Sequence, residues 1–140
     1  MKMLAQAGLA ASLLFVAVPA AAQGDSVAER LADAEANLVG TGQTATGWET
    51  RGTLARGASQ EVTVKLNKAT SFSIIGACDA RCDDLNLYAT DSKRKPVDAD
   101  DNDDPLPVLT IDAPGTYRIR VEMKQCGADS CAFAVKAFGK

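Results

Sequence analysis

The hydrophobic pattern along the chain changes character twice. Behind a single Lys2 comes an apolar run, Leu9–Val18, then Pro19 and the small residues Ala20, Ala21 and Ala22. That is the layout of a secretory signal peptide, with cleavage expected after Ala22. The run is too short to cross about 30 Å of hydrocarbon, so no membrane span is expected after cleavage. Val27, Leu31, Ala34 and Leu38 then recur at helical spacing and predict a short amphipathic helix over Asp25–Leu38, packed on or tethered to the main domain, with docking to a partner as the alternative. Asp25 or Ser26 is placed to cap it and Gly40 to end it. The small polar stretch Gly40–Gly47 reads as a linker.

From Trp48 onward the period drops to two. Trp48, Thr50, Gly52 and Leu54 alternate with charged or polar neighbours, as do Val62, Val64 and Leu66. Phe72 and Ile74, Leu85 and Leu87, Val97, and Leu109 and Ile111 mark further short strands. Tyr117, Ile119, Val121 and Met123 form the clearest one, and Phe133 and Val135 lie on the last. Turn residues separate them every eight to twelve positions, with Pro114-Gly115 a clear example. Seven or eight short strands at that spacing, without intervening helices, predict an all-β antiparallel sandwich. The expected organisation is a signal at 1–22, helix and linker at 23–47, and the sandwich at 48–140.

Composition narrows the chemistry. The chain has 140 residues, enough for one domain. It contains no histidine, which removes Ser-His-Asp, Cys-His and His-ligated metal sites. Carboxylates are the remaining acid–base material. They cluster in a polar loop rather than an apolar pocket, so the expectation is a protein that is not an enzyme. A net charge of −3, moving to −4 when Lys2 is cleaved off, argues against nucleic acid as a partner.

Four cysteines occur, as Cys78-x3-Cys82 and Cys126-x4-Cys131. An exported chain meets an oxidising space, periplasmic or extracellular, so disulfides are expected in place of a zinc site. Three pairings are open. The four-residue loop between Cys126 and Cys131 brings its flanks within bonding reach, and Cys78 and Cys82 flank a tight three-residue loop, which favours the local bridges 78–82 and 126–131.

The acidic residues concentrate between Asp79 and Asp104, with five in the seven residues Asp98–Asp104. The leading reading is a solvated loop that keeps a sheet edge unpaired; the alternatives are oxygen ligands to Ca²⁺ or a surface for a basic partner. Asp98, Asp100 and Asn102 have 1-3-5 spacing, with Asp83 and Asp84 as further donors. Asp103 stands where a calcium-loop glycine would be, so the run is not an EF-hand.

Two longer motifs carry a family resemblance. Asp84-Leu85-Asn86-Leu87-Tyr88 is similar to a "DLDLYL" strand, with Asp91 in the following turn. Ala113-Pro114-Gly115-Thr116-Tyr117-Arg118-Ile119-Arg120-Val121 is similar to an "APxxGTYYIRV" strand. Gly52-Thr53-Leu54, Gly57 and Val62–Leu66 match the opening hairpin. In this order, Trp48 to Phe138 resembles the bacterial pre-peptidase C-terminal (PPC-type) domain. The resemblance implies a secreted, jelly-roll-like β-sandwich. Asn86 stands where the family commonly carries Asp, and the cysteines are additions to its pattern.

Two functions fit this reading. The first is an exported accessory module that recognises a protein or a glycan, with Trp48 and Tyr88 as contacts and Ca²⁺ as an aid. The second is an interaction protein of the cell envelope that docks through the N-terminal helix.

Overall fold

The computed structural model describes the backbone of residues 20–140 and the side chains of residues 26–140. Met1–Pro19, which carry most of the expected signal peptide, lie outside the described residues. Among the described residues one helix, α1 (Ala20–Gly40), precedes eight strands: β1 (Thr44–Ala55), β2 (Ser59–Leu66), β3 (Phe72–Cys78), β4 (Cys82–Thr90), β5 (Pro96–Asp100), β6 (Val108–Ile111), β7 (Gly115–Cys126) and β8 (Ser130–Gly139). They form two four-stranded antiparallel sheets, β1-β8-β3-β6 and β2-β7-β4-β5. All but one of the connections pass from one sheet to the other, the exception being the β4–β5 hairpin. This is jelly-roll topology. Among the described residues no helix is long and apolar enough to cross a membrane.

Alternation decides which side of each strand faces the partner sheet. Val64 and Leu66, Leu85 and Leu87, and Tyr117, Ile119, Val121 and Met123 point inward from the second sheet. Phe72, Ile74, Leu109, Phe133 and Val135 meet them from the first. The two motifs that carry the family resemblance are neighbours, because β4 pairs with β7 and sets Leu87 opposite Val121. The Tyr117 ring is buried and its hydroxyl donates to the Ala113 carbonyl at 2.7 Å, closing the corner before β7.

The first sheet is covered on its outer face as well. Every residue of β3 is buried. Val27 and Leu31 of α1 are buried in a second cluster with Ile75, Ala77, Ala134 and Phe138. Lys136 pairs with Glu35 at 2.9 Å beside it. The apolar stripe of the helix is thus taken up by the chain's own sheet, so a partner would have to displace that packing to use it.

Two boundaries differ from the sequence expectation. The helix begins at Ala20 rather than Asp25, so Asp25 and Ser26 lie within it instead of capping it. The alanines Ala20–Ala22 have high helix propensity and extend it by more than a turn. The expected linker shortens to Thr41–Gln43, because β1 begins at Thr44 and pairs Thr44 with Gly139 and Ala45 with Phe138. A bulge between Ala45 and Glu49 follows, with Gly47 at φ 89°. Bulge and small side chains together hide the alternation of this strand.

Candidate functional site

Both disulfides lie at one end of the sandwich, joining Cys78 to Cys82 and Cys126 to Cys131. Cys82 stands opposite Cys126 in the β4–β7 ladder. The Asp79 carboxylate is fully buried in the first loop. It accepts from the Ala132 amide at 2.8 Å and the Arg81 amide at 3.0 Å. From α1, Arg30 Nη1 donates to the carbonyls of Cys78, Asp79 and Cys82 at 3.0, 2.8 and 3.2 Å. The Ser26 hydroxyl accepts from the Ala80 amide at 3.1 Å. This end is a structural anchor, tying helix, loop and β8 together.

The acidic run is largely engaged with the backbone. Asp98 Oδ2 accepts from the Thr110 amide at 2.7 Å, and Asp100 Oδ2 from the Val108 amide at 2.8 Å. β6 is an edge of the first sheet, and β5 an edge of the second. Two carboxylates from one edge therefore satisfy the N–H groups that the other edge would leave open. Asn102 donates to Asp100 Oδ1 at 2.9 Å and so orders the turn that follows. Asp83 is exposed. Asp84 is buried, and one of its oxygens has no hydrogen-bond partner. Burial raises the Asp84 carboxyl above its ordinary range; Asp103 and Asp104 push it the same way, and Lys124 opposes them. The five residues suggested as cation donors are thus divided. Asp98, Asp100 and Asn102 hold the edges, whereas Asp84 faces Asp103 and Asp104. Among the described residues no three acidic or thiol side chains gather as a metal centre.

Of the two aromatic contacts suggested by sequence, each lines a cavity. Tyr88 lies on the outer face of the second sheet, in a cavity of about 400 Å³. β4 and β7 set Tyr88 directly opposite Arg120, whose guanidinium lies 3.9 Å from the ring centroid. Glu122 Oε2 accepts from Arg120 at 3.2 Å, and Glu122 Oε1 accepts from the buried Asn86 at 3.2 Å. Asn86 also lies 3.5 Å from the Tyr88 hydroxyl. On the other side, Arg118 contacts Glu61 at 3.7 Å and donates to the Ser92 carbonyl at 3.3 Å. Pro96, Val97 and Ala99 of β5 supply an apolar wall, and Val97 is 40% exposed. The result is an aromatic ring and two arginines locked by neighbouring hydrogen bonds beside apolar surface.

Trp48 is half-buried, packs on the core, and lines a second cavity at the end opposite the disulfides. Tyr88 and Trp48 stand out in the sequence, whereas Arg118 and Arg120 do not. Their signal was present: they are the outward positions of the strand whose inward positions are Tyr117, Ile119 and Val121.

No protein-family model matches the chain, and no curated protein matches it. Among solved structures, the chain is similar to the pre-peptidase C-terminal domain of a collagenase from Bacillus anthracis. The TM-score is 0.51 and the identity 13%, over 64% of this chain and 87% of that one. It is also similar to PliG of Aeromonas hydrophila, a periplasmic inhibitor of g-type lysozyme. There the TM-score is 0.41 and the identity 16%, over 67% of this chain and 90% of that one. The resemblance read from Asp84–Tyr88 and Ala113–Val121 holds at the level of the fold.

Proposed function

We propose that this chain is an exported, non-enzymatic recognition module that binds a protein partner on the outer face of its second sheet. The observation that carries the reading is the Tyr88–Arg120 pair, held in place before any partner arrives. Tyr and Arg are enriched among the residues that dominate protein interfaces, and preordering lowers the entropy lost on binding. Val97 and Pro96 add apolar surface at the rim of the same cavity. Two disulfides support export to an oxidising compartment. The lack of histidine supports a role in binding rather than catalysis, as does the engagement of Glu61 and Glu122 by arginines.

A photo-crosslinker placed at Val97, incubated with envelope extract and culture medium, tests this. A defined adduct is expected that a crosslinker at the exposed Asp129 does not give. Tyr88→Ala or Arg120→Ala each removes about 2 kcal/mol of binding, roughly thirtyfold in affinity. Equal adducts from both positions, or capture indifferent to both substitutions, would refute the proposal.

A further inference from the structure

The cavity at the other end carries an independent inference. Its volume is about 380 Å³, and it lies among Trp48, Lys65, Lys68, Lys140, Thr44 and Asn67. The chain as a whole holds 18 acidic residues against 15 basic ones, yet no acidic residue lines this cavity and three lysines do. Among the described residues, none of those lysines is in an ion pair, whereas five of the arginines are. Lys65 and Lys68, two positive charges with no carboxylate partner in an acidic protein, make a local field that attracts an anion.

The remaining lining says what else the anion carries. Trp48 presents the single indole of the chain, Ala45 and Ala69 add two methyl groups, and the remaining walls are hydroxyl, amide and backbone. The ring is set by the bulge of β1: the Trp48 amide donates to Thr46 Oγ1 at 3.2 Å, and that hydroxyl donates to the Ala137 carbonyl at 3.0 Å. One flat apolar surface, ringed by hydrogen-bonding groups, matches a pyranose, which has a C–H face and a rim of hydroxyls. A peptide would call for more apolar wall than one ring. We propose that this cavity binds an acidic saccharide, its sugar ring stacked on Trp48 and its carboxylate or sulfate held by Lys65 and Lys68.

Because Trp48 is the only tryptophan, intrinsic fluorescence reports on this cavity directly. The full chain is titrated with oligogalacturonate, its neutral methyl ester, a sulfated oligosaccharide, an oligoglutamate and a single-stranded oligodeoxynucleotide. A saturable change with at least one acidic saccharide is expected, and which one binds separates carboxylate from sulfate. Binding of that saccharide weakens about tenfold as salt rises from about 50 to 200 mM, and is about tenfold tighter than for the neutral ester. Lys65→Gln with Lys68→Asn lowers its affinity by about tenfold or more. Asn suits position 68 because that residue has φ 66°. Tyr88→Ala leaves the affinity unchanged, since Tyr88 lines the other cavity. The proposal fails if neither acidic saccharide binds. It fails equally if the neutral ester binds as well, if the lysine variant binds as wild type, or if oligoglutamate or the oligodeoxynucleotide binds as tightly.

Discussion

Replacing Asp98 and Asp100 together by alanine should unlatch β6. Each carboxylate accepts one β6 amide, at 2.7 and 2.8 Å, and these are charge-assisted bonds. A hydrogen bond to a charged group contributes about 1.5–3 kcal/mol. Both aspartates are partly exposed, so the lower end applies, and the pair together contributes about 2–3 kcal/mol. The double variant should therefore unfold at lower denaturant. Its clearest signature is local: hydrogen exchange at Val108 and Thr110 should quicken by about thirtyfold, the equivalent of roughly 2 kcal/mol. Asparagine at both positions keeps a carbonyl acceptor and should lose about half as much. Unprotected amides also leave an open strand edge, so the alanine variant should self-associate more readily at high concentration. Unchanged protection at Val108 and Thr110, with an unchanged unfolding midpoint, would refute the assignment of these carboxylates as edge caps.

Two other perturbations test separate parts of the fold. Arg30→Met keeps the apolar stem but removes the donor shared by Cys78, Asp79 and Cys82; it should cost about 1–3 kcal/mol and speed proteolysis at Thr41–Gln43, as read by denaturant melts and limited digestion. Asp84 has its carboxyl raised by burial, so its ionised form weakens the fold near neutral pH, and that penalty disappears as the pH falls below the ordinary carboxylate value of about 4. Asp84→Asn should therefore stabilise the protein at about pH 7 and lose its advantage near pH 3.5; a variant less stable than wild type at neutral pH would contradict this.

The inward faces were legible because a strand's side chains alternate strictly. Leu85 and Leu87, or Ile119 and Val121, could only pack against an opposing sheet. The helix cover over the first sheet was also written in the chain, in a form easily passed over. β3 reads Phe72-Ser73-Ile74-Ile75-Gly76-Ala77-Cys78, and β8 places Ala134 and Phe138 outward. Strands that fail to alternate are strands buried on both faces. Thr44–Gly47 escaped notice for the opposite reason: bulged, small and polar, they gain strand structure only from pairing with β8.

The acidic run marks where sequence reading stops. Its composition favoured a solvated edge and left cation ligation open, because a carboxylate uses the same lone pairs toward a metal ion or an amide N–H. What composition does not show is the placement of β5 beside β6, which presents two open amides within reach of Asp98 and Asp100. The same holds for Tyr88 and Arg120, thirty-two positions apart and made neighbours by the β4–β7 register. The sequence alone determined the alternating strands and the lack of histidine, which depend on local periodicity and residue type, and its family resemblance implied the jelly roll. The tertiary structure decided which carboxylates are structural and which aromatic rings line cavities, since those depend on contacts between residues far apart in the chain.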